Sequence, residues 1–437
     1  MAILFLLICS FVTVAQTYKF PLTVSKDHHY LVDQNGKPFF YNGDTGWKIF
    51  LKLDKKSVIE YLVDRKKRKF NVIQSMLTGF KDEMNLAGIK PFNNPNDFST
   101  LNESYFDHAA WVIGQADSLG LLMAIAPLWA GCCGEGYGGK GAVGHTSFMS
   151  TNGLEKCSAF GEFVGQKYKK FKNILWIMGG DIDPFEDKEM IDTMAKSIKS
   201  KAPSQLMTFH PSSSHSSTDV WENPSWLDVT MTYTYFRGFN KAWTQDMPDV
   251  YELNWKEYSK RPVRPYFIGE STYEELEGEW GSQTQVRKQA YWSVLGGGIG
   301  NAYGTQLWDF PADWRRYLDL PGANSLQFYV ALFNKYPWHR IIPDPESHII
   351  IEGKGEMAQN SMAVAASDQK HEFIVVYIPS RRRLKVDASL IESNRVKASW
   401  FDPRTGKYST ISTNAESRVG TFESPDERDW VLVLESN

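Results

Sequence analysis

Ile174-Leu175-Trp176-Ile177-Met178 is an unbroken apolar run that leads straight into Gly179-Gly180-Asp181. Pro265-Tyr266-Phe267-Ile268-Gly269 behaves in the same way and leads into Glu270. Short apolar runs bounded by turn residues read as strands buried on both faces, the character of a parallel sheet. A carboxylate directly behind such a strand is expensive to place unless it is paired, hydrogen-bonded or at work. The rest of the chain is read outward from these two segments.

Six further runs have the same texture: Phe39–Asn42, Asn71–Met76, Leu122–Pro127, Leu206–His210, Val229–Tyr233 and Gly300–Tyr303. Helix-length stretches separate them at Lys55–Lys69, Tyr105–Leu119, Leu154–Phe171, Glu186–Lys201, Val250–Lys260 and Gln283–Leu295, and Ser325–Lys335 follows the last strand. The Ser-rich connection from Pro211 to Leu227 carries the weakest helical signal. Strands alternating with helices predict βα units in the α/β class. A count of eight predicts a (β/α)8 TIM barrel, with a doubly wound sheet sharing the pattern. Ile174–Met178 is then the fourth strand and Pro265–Gly269 the seventh.

Both ends of the chain differ from this middle. Tyr30-Leu31-Val32-Asp33 and Pro38-Phe39-Phe40-Tyr41 flank Asn35-Gly36, which predicts an N-terminal hairpin with a two-residue type I′ turn. After Pro337 the runs Ile349–Glu352, Met362–Ala366, Phe373–Tyr377, Leu384–Asp387, Lys397–Phe401 and Trp430–Leu434 are short and strand-like, with no helical period between them. A small all-β sandwich is expected there. The reading divides the chain into a signal peptide over 1–15, a barrel with its hairpin over 16–340, and a β-sandwich over 341–437.

Length and composition agree. A barrel runs from about 200 to more than 400 residues, so 437 residues hold one barrel and one small domain. A net charge of −3 gives no field that would select nucleic acid or a membrane surface. The apolar run Ile3–Val14 is too short to span a bilayer and reads as a secretory signal cut after Ala15, so a secreted or periplasmic location is expected. Export would put Cys132, Cys133 and Cys157 in an oxidising compartment, where one disulfide and one inert thiol are expected, the pairing left open.

Barrel active sites form at the carboxyl ends of the strands. Asp181 and Glu270 occupy two such ends on opposite sides of the mouth. Glycoside hydrolysis needs two carboxyls facing one bond, one to donate a proton and one to attack or to activate water. The bland readings are a turn or N-cap role for Asp181 and a buried ion pair for Glu270. Asp44 and Trp47 (first strand), Gln74 (second), Trp129 (third), His210 (fifth), Tyr233 and Tyr235 (sixth), and Tyr303 and Trp308 (eighth) are candidate sugar-binding residues, any of which could instead serve the core. Gly296-Gly297-Gly298-Ile299-Gly300 lacks dinucleotide spacing, and no G-x-S-x-G or H-E-x-x-H occurs. Asp181, Asp183, Glu186 and Asp187 only loosely resemble a calcium loop. Neither cofactor nor metal is expected, and the partner is a carbohydrate.

At these residues the sequence resembles the apiosidase-like glycoside hydrolases, family 140 and its relatives. Asn42-Gly43-Asp44-Thr45-Gly46-Trp47, Gly179-Gly180-Asp181, Phe209-His210-Pro211, Gly269-Glu270-Ser271-Thr272-Tyr273-Glu274 and Ala302-Tyr303-Gly304 carry the resemblance, which extends into a collagen-binding-type β domain at the tail. It implies a (β/α)8 fold, retaining chemistry, Asp181 as acid/base and Glu270 as nucleophile. For some members it implies apiose release from pectic rhamnogalacturonan II. Ser271 stands where the family is expected to carry Pro. The reading from another class is a non-catalytic carbohydrate- or matrix-binding protein on a degenerate barrel, against which both carboxylates argue.

Overall fold

The computed structural model describes residues 18–95, 97–131, 134–139, 147–239, 247–276, 281–393, 395–415 and 418–436. The signal segment, Cys132 and Cys133 lie outside the described residues. Cys157 is a free, buried thiol that burial pushes up to about 12, so it stays protonated and inert.

Eight parallel strands form a nearly closed barrel: β1 (Tyr41–Thr45), β2 (Val72–Met76), β3 (Leu122–Ala126), β4 (Ile174–Gly179), β5 (Leu206–His210), β6 (Thr230–Tyr233), β7 (Tyr266–Glu270) and β8 (Gly300–Thr305). Besides a single turn at Ile49–Lys52, the α-helices among the described residues are α1 (Lys55–Lys67), α2 (Glu103–Ser118), α3 (Phe148–Tyr168), α4 (Lys188–Lys201), α5 (Ser217–Val220), α6 (Val250–Ser259), α7 (Gln283–Leu295) and α8 (Pro321–Lys335). Their starts follow from capping chemistry. Asp54, Ser147 and Ser282 each accept a backbone N–H of the first turn, Asp249 with Glu252 forms a capping box, and α8 opens on Pro321.

The ladder is continuous from β5 back through β1 and round to β6. Between β5 and β6 the backbone N–H groups of Asp228 and Val229 reach Met207 O at 3.0 and 3.2 Å, and side chains complete the joining. Ser217 Oγ donates to Phe209 O at 2.6 Å and accepts from Met231 N at 2.8 Å, while Asp228 Oδ2 accepts from Met207 N at 2.8 Å. The Ser-rich fifth connection thus supplies a single helical turn, α5, whose first residue staples the seam.

The N-terminal turn differs from expectation. Gly36 has φ 76°, but Asn35 is not left-handed, so the turn is not type I′. Gly36 N donates to Asp33 O, and Asp33 Oδ1 accepts from Asn35 N and Lys37 N, which makes Asp33 the brace of a longer turn. Leu31–Val32 pairs mainly with Thr23–Val24, and touches the other arm only at a Val32–Pro38 bridge.

After the barrel come β9 (Ile341–Pro343), β10 (Ile350–Glu352), β11 (Val364–Asp368), β12 (Phe373–Ile378), β13 (Arg383–Asp387), β14 (Val396–Phe401), β15 (Tyr408–Ala415), β16 (Val419–Glu423) and β17 (Trp430–Ser436). They form a six-stranded sheet, ordered β9-β11-β12-β17-β14-β15, and a three-stranded sheet, β10-β13-β16. Alternation on β12 explains its wholly apolar sequence. Ile374, Val376 and Ile378 point into the sandwich core, while Phe373, Val375 and Tyr377 join the barrel-side core. Among the described residues no helix is long and apolar enough to cross a membrane.

Candidate active site

Asp181 stands beyond the end of β4 on three consecutive left-handed residues: Gly179 (φ 84°), Gly180 (φ 136°) and Asp181 itself (φ 56°). A Cβ on Gly180 would lie 2.5 Å from the Trp129 ring, and one on Gly179 would lie 2.5 Å from Phe209. The Gly-Gly pair is therefore required both by its dihedrals and by the rings packed against it. A non-Gly residue held in this region is strained, a condition that concentrates at functional sites.

Glu270 is aimed differently. The β6–β7 register shifts between Ile268 and Glu270, which leaves Gly269 as a bulge. A bulge turns the following side chain, and this one faces the cleft. Two groups then hold the carboxylate, and a third braces one of them. Tyr273 O–H donates to Oε1 at 3.0 Å, and Trp47 Nε1 donates to that same phenol oxygen at 2.8 Å. His210 Nε2 lies 2.7 Å from Oε2.

His210 is fully buried and touches both halves of the site. Its Nδ1 is 3.0 Å from Pro211 O and 3.3 Å from the backbone N of Asp181. Burial opposes its charged form, but the Glu270 and Asp181 carboxyls outweigh that and raise its pKa. Burial likewise keeps the Tyr273 phenol protonated and available as a donor.

One oxygen of Asp181, one of Glu270 and a His210 nitrogen lie within 4.8 Å of one another. Desolvation first, and then the negative charge of Glu270, push the Asp181 carboxyl up to about 7, with His210 opposing. The Trp129 indole N–H comes close enough to favour the ionised Asp181, though not in hydrogen-bonding geometry. Among the described residues these three groups are the set whose spacing could hold a metal ion, and the shortest contact within it already joins His210 to Glu270.

A cavity of about 160 Å³ opens over the pair. Trp47, Trp129, Tyr235 and Trp308 line it with Asp181 and Glu270, as the sequence suggested, and Met76, Phe80, Tyr273 and Leu276 join them. Those four were passed over, although Phe80 and Tyr273 stand within four residues of the ends of β2 and β7, a position that could have flagged them.

The remaining candidates stand elsewhere. Asp44 is fully buried behind β1, where it accepts from Tyr61 O–H and faces Arg65 Nη1 at 3.7 Å. Gln74 lies inside the barrel, accepting from Tyr41 O–H at 2.7 Å and donating to Gly269 O at 2.9 Å. Tyr303 donates to Glu274, whose other oxygen accepts Gly322 N–H at the start of α8. These three brace the barrel and do not line the cavity. Tyr233 forms a second layer, its ring edge-on to His210 and its hydroxyl bonded to Tyr235. His210, expected to meet sugar, instead supports Glu270.

A barrel with two carboxyls facing each other across an aromatic cleft defines a glycoside hydrolase. The chain belongs to the apiosidase-like family: the family model described as "Apiosidase-like, catalytic domain" matches residues 25–340. A second, described as "Putative collagen-binding domain of a collagenase", matches residues 342–435. A solved glycoside hydrolase is similar at 26% identity and a TM-score of 0.84, covering 97% of this chain and 99% of its own. A glycoside hydrolase family 5 structure from Bacteroides vulgatus shares 26% identity at a TM-score of 0.85, covering 96% of this chain and 95% of its own. Another structure from that organism, at 13% identity and a TM-score of 0.69, covers 96% of this chain and 82% of its own and shares the fold. No curated protein matches the chain.

Proposed function

We propose that this glycoside hydrolase acts with retention of configuration, using Asp181 as acid/base and Glu270 as nucleophile. The observation that carries this reading is the approach of one oxygen of each carboxyl to within 4.8 Å of the other. Retaining enzymes hold their carboxyl groups about 5–5.5 Å apart, and inverting enzymes about 6.5–9.5 Å apart to admit a water. Asp181, with its raised pKa, holds the proton and gives it to the leaving oxygen as Glu270 attacks the anomeric carbon. The ionised Asp181 then takes a proton from the water that releases the glycosyl-enzyme. Tyr273 and His210 orient the nucleophile, and Trp47 orients Tyr273.

The family membership supports a plant cell-wall polysaccharide or oligosaccharide as substrate, with apiosyl linkages of rhamnogalacturonan II the first to test. The N-terminal apolar run supports export to the periplasm or beyond. A screen against cell-wall oligosaccharides, with NMR of the first-formed product, tests the whole reading. Release of a sugar with retained configuration is expected. An inverted product would reject the two-step mechanism, and no product from any cell-wall glycan would reject the substrate class.

A further inference from the structure

We infer that Lys48 is a positioning residue for the aromatic wall of the cleft, holding Phe80 and Trp308 where they meet a bound sugar. Lys48 follows Trp47 in the β1 loop, yet its side chain is buried and does not line the cavity. Its Nζ lies 2.8 Å from Glu83 Oε1 in the β2 loop and 2.9 Å from Asp309 Oδ1 in the β8 loop. The same ammonium sits 4.3 Å from the centre of the Phe80 ring and 5.1 Å from that of Trp308. Both rings line the cavity.

Each contact is tied back to a ring-bearing residue. Glu83 Oε2 accepts the backbone N–H of Phe80 at 2.8 Å, and the backbone N–H of Lys48 donates to Trp308 O at 3.1 Å. Asp309 is the chain neighbour of Trp308. One cation thus fixes two loops by their carboxylates and two rings by their π faces. Withdrawing an ammonium from water is costly, and two carboxylates with two ring faces are what offset it. Removing the charge leaves Glu83 and Asp309 facing each other, and their repulsion draws Phe80 and Trp308 apart.

Lys48 touches neither Asp181 nor Glu270, so its effect belongs to binding more than to the chemical step. This kinetic consequence rests on the hydrolase reading above, whereas the structural one does not. The test uses the full-length protein labelled with 5-fluorotryptophan, the Trp308 signal being assigned by W308F. In K48M the Trp308 ¹⁹F resonance should shift and broaden. KM for the substrate found in the screen should rise ~10-fold, equivalent to about 1.4 kcal/mol, with kcat nearly unchanged. K48R, which keeps the charge, should restore most of both. If K48M does not fold, E83Q/D309N removes the carboxylates instead and should move the same resonance. An unmoved Trp308 signal in a folded variant, or a fall in kcat at constant KM, would overturn the proposal. Should no glycan be hydrolysed at all, the resonance alone decides it.

Discussion

Asp181 and Glu270 differ in what surrounds them, and the difference assigns their proposed roles. Glu270 has two side-chain partners on its oxygens, while Asp181 faces desolvation, a neighbouring charge and a strained backbone. Asp181→Asn is expected to lower kcat by about 10²–10⁴-fold, the scale of general acid–base catalysis. The pH profile should have an alkaline limb near 7. In Asp181→Ala that limb should vanish with an activated leaving group, and azide should restore turnover as a retained glycosyl azide. Stability follows the same shift. Asp181 is raised above its unfolded value of 3.8, so its ionisation opposes folding progressively as pH rises from 4 through 7. Asp181→Asn should therefore melt higher than wild type at pH 8, and the gain should disappear near pH 4. Equal melting temperatures at pH 8 would show that the carboxyl titrates normally. Tyr273→Phe removes one charge-assisted bond to Glu270, and a ~10–100-fold loss of kcat is expected. The six cleft residues legible from the sequence share one signal, a strand end followed by an aromatic or an acid. Asp44 and Tyr303 carry the same signal, and Gln74 lies within the second run, but all three turn into the barrel wall or interior, which depends on strand rotation and on partners such as Arg65 and Glu274 far off in sequence.

At the scale of elements, all eight barrel strands were readable because their apolar runs are buried on both faces and bounded by turn residues. What remained hidden was how β4 and β7 end. The Gly269 bulge is a register change against β6, visible only once the two strands are paired. The burial of helix α7 is likewise not legible in the sequence, where Gln283–Leu295 reads only as a helix-length stretch. The helix is buried from Gln285 to Leu295, polar residues included, because the barrel covers one side and the β domain the other. The Gly179-Gly180 turn yields a sharp expectation. A methyl on Gly180 meets the Trp129 ring at 2.5–2.8 Å and sits at φ 136°, so neither backbone nor ring accommodates it. Gly180→Ala should cost about 1–3 kcal/mol of stability from strain. It should also lower activity by displacing Trp129 and Asp181 together. A variant with wild-type melting temperature and turnover would mean that the turn relaxes freely.

The whole molecule is held together by a face that belongs to both domains. On the barrel side Arg287 of α7 makes a two-pronged, fully buried pair with Asp429, at 2.9 and 2.8 Å. Asp429 also accepts Tyr377 O–H at 2.9 Å, and Tyr377 stacks on Tyr291 of α7 with ring centres 4.7 Å apart. Around this polar centre Val375, Val431, Val433 and Phe373 merge with the barrel-side cluster that contains Leu326, Tyr329 and Phe333 of α8. A chain ending at Arg340 would expose that apolar surface and leave Arg287 without its carboxylate partner. Such surfaces drive association, so the truncated protein should be largely insoluble or melt well below the full chain. The polar centre can be tested without truncation. Asp429→Ala removes the partner of a buried cation, a change that costs about 3–5 kcal/mol, whereas replacing the pair by apolar groups is often neutral. Arg287→Met combined with Asp429→Leu should therefore be more stable than Asp429→Ala alone, even though it carries one substitution more. Because Asp429 lies in the β domain while Asp181 and Glu270 sit at the barrel strand ends, both variants should keep the wild-type KM at temperatures where they remain folded. Equal stability of the single and double variants would show that the pair adds little to the interface, and the apolar faces of β12 and β17 would then carry it alone.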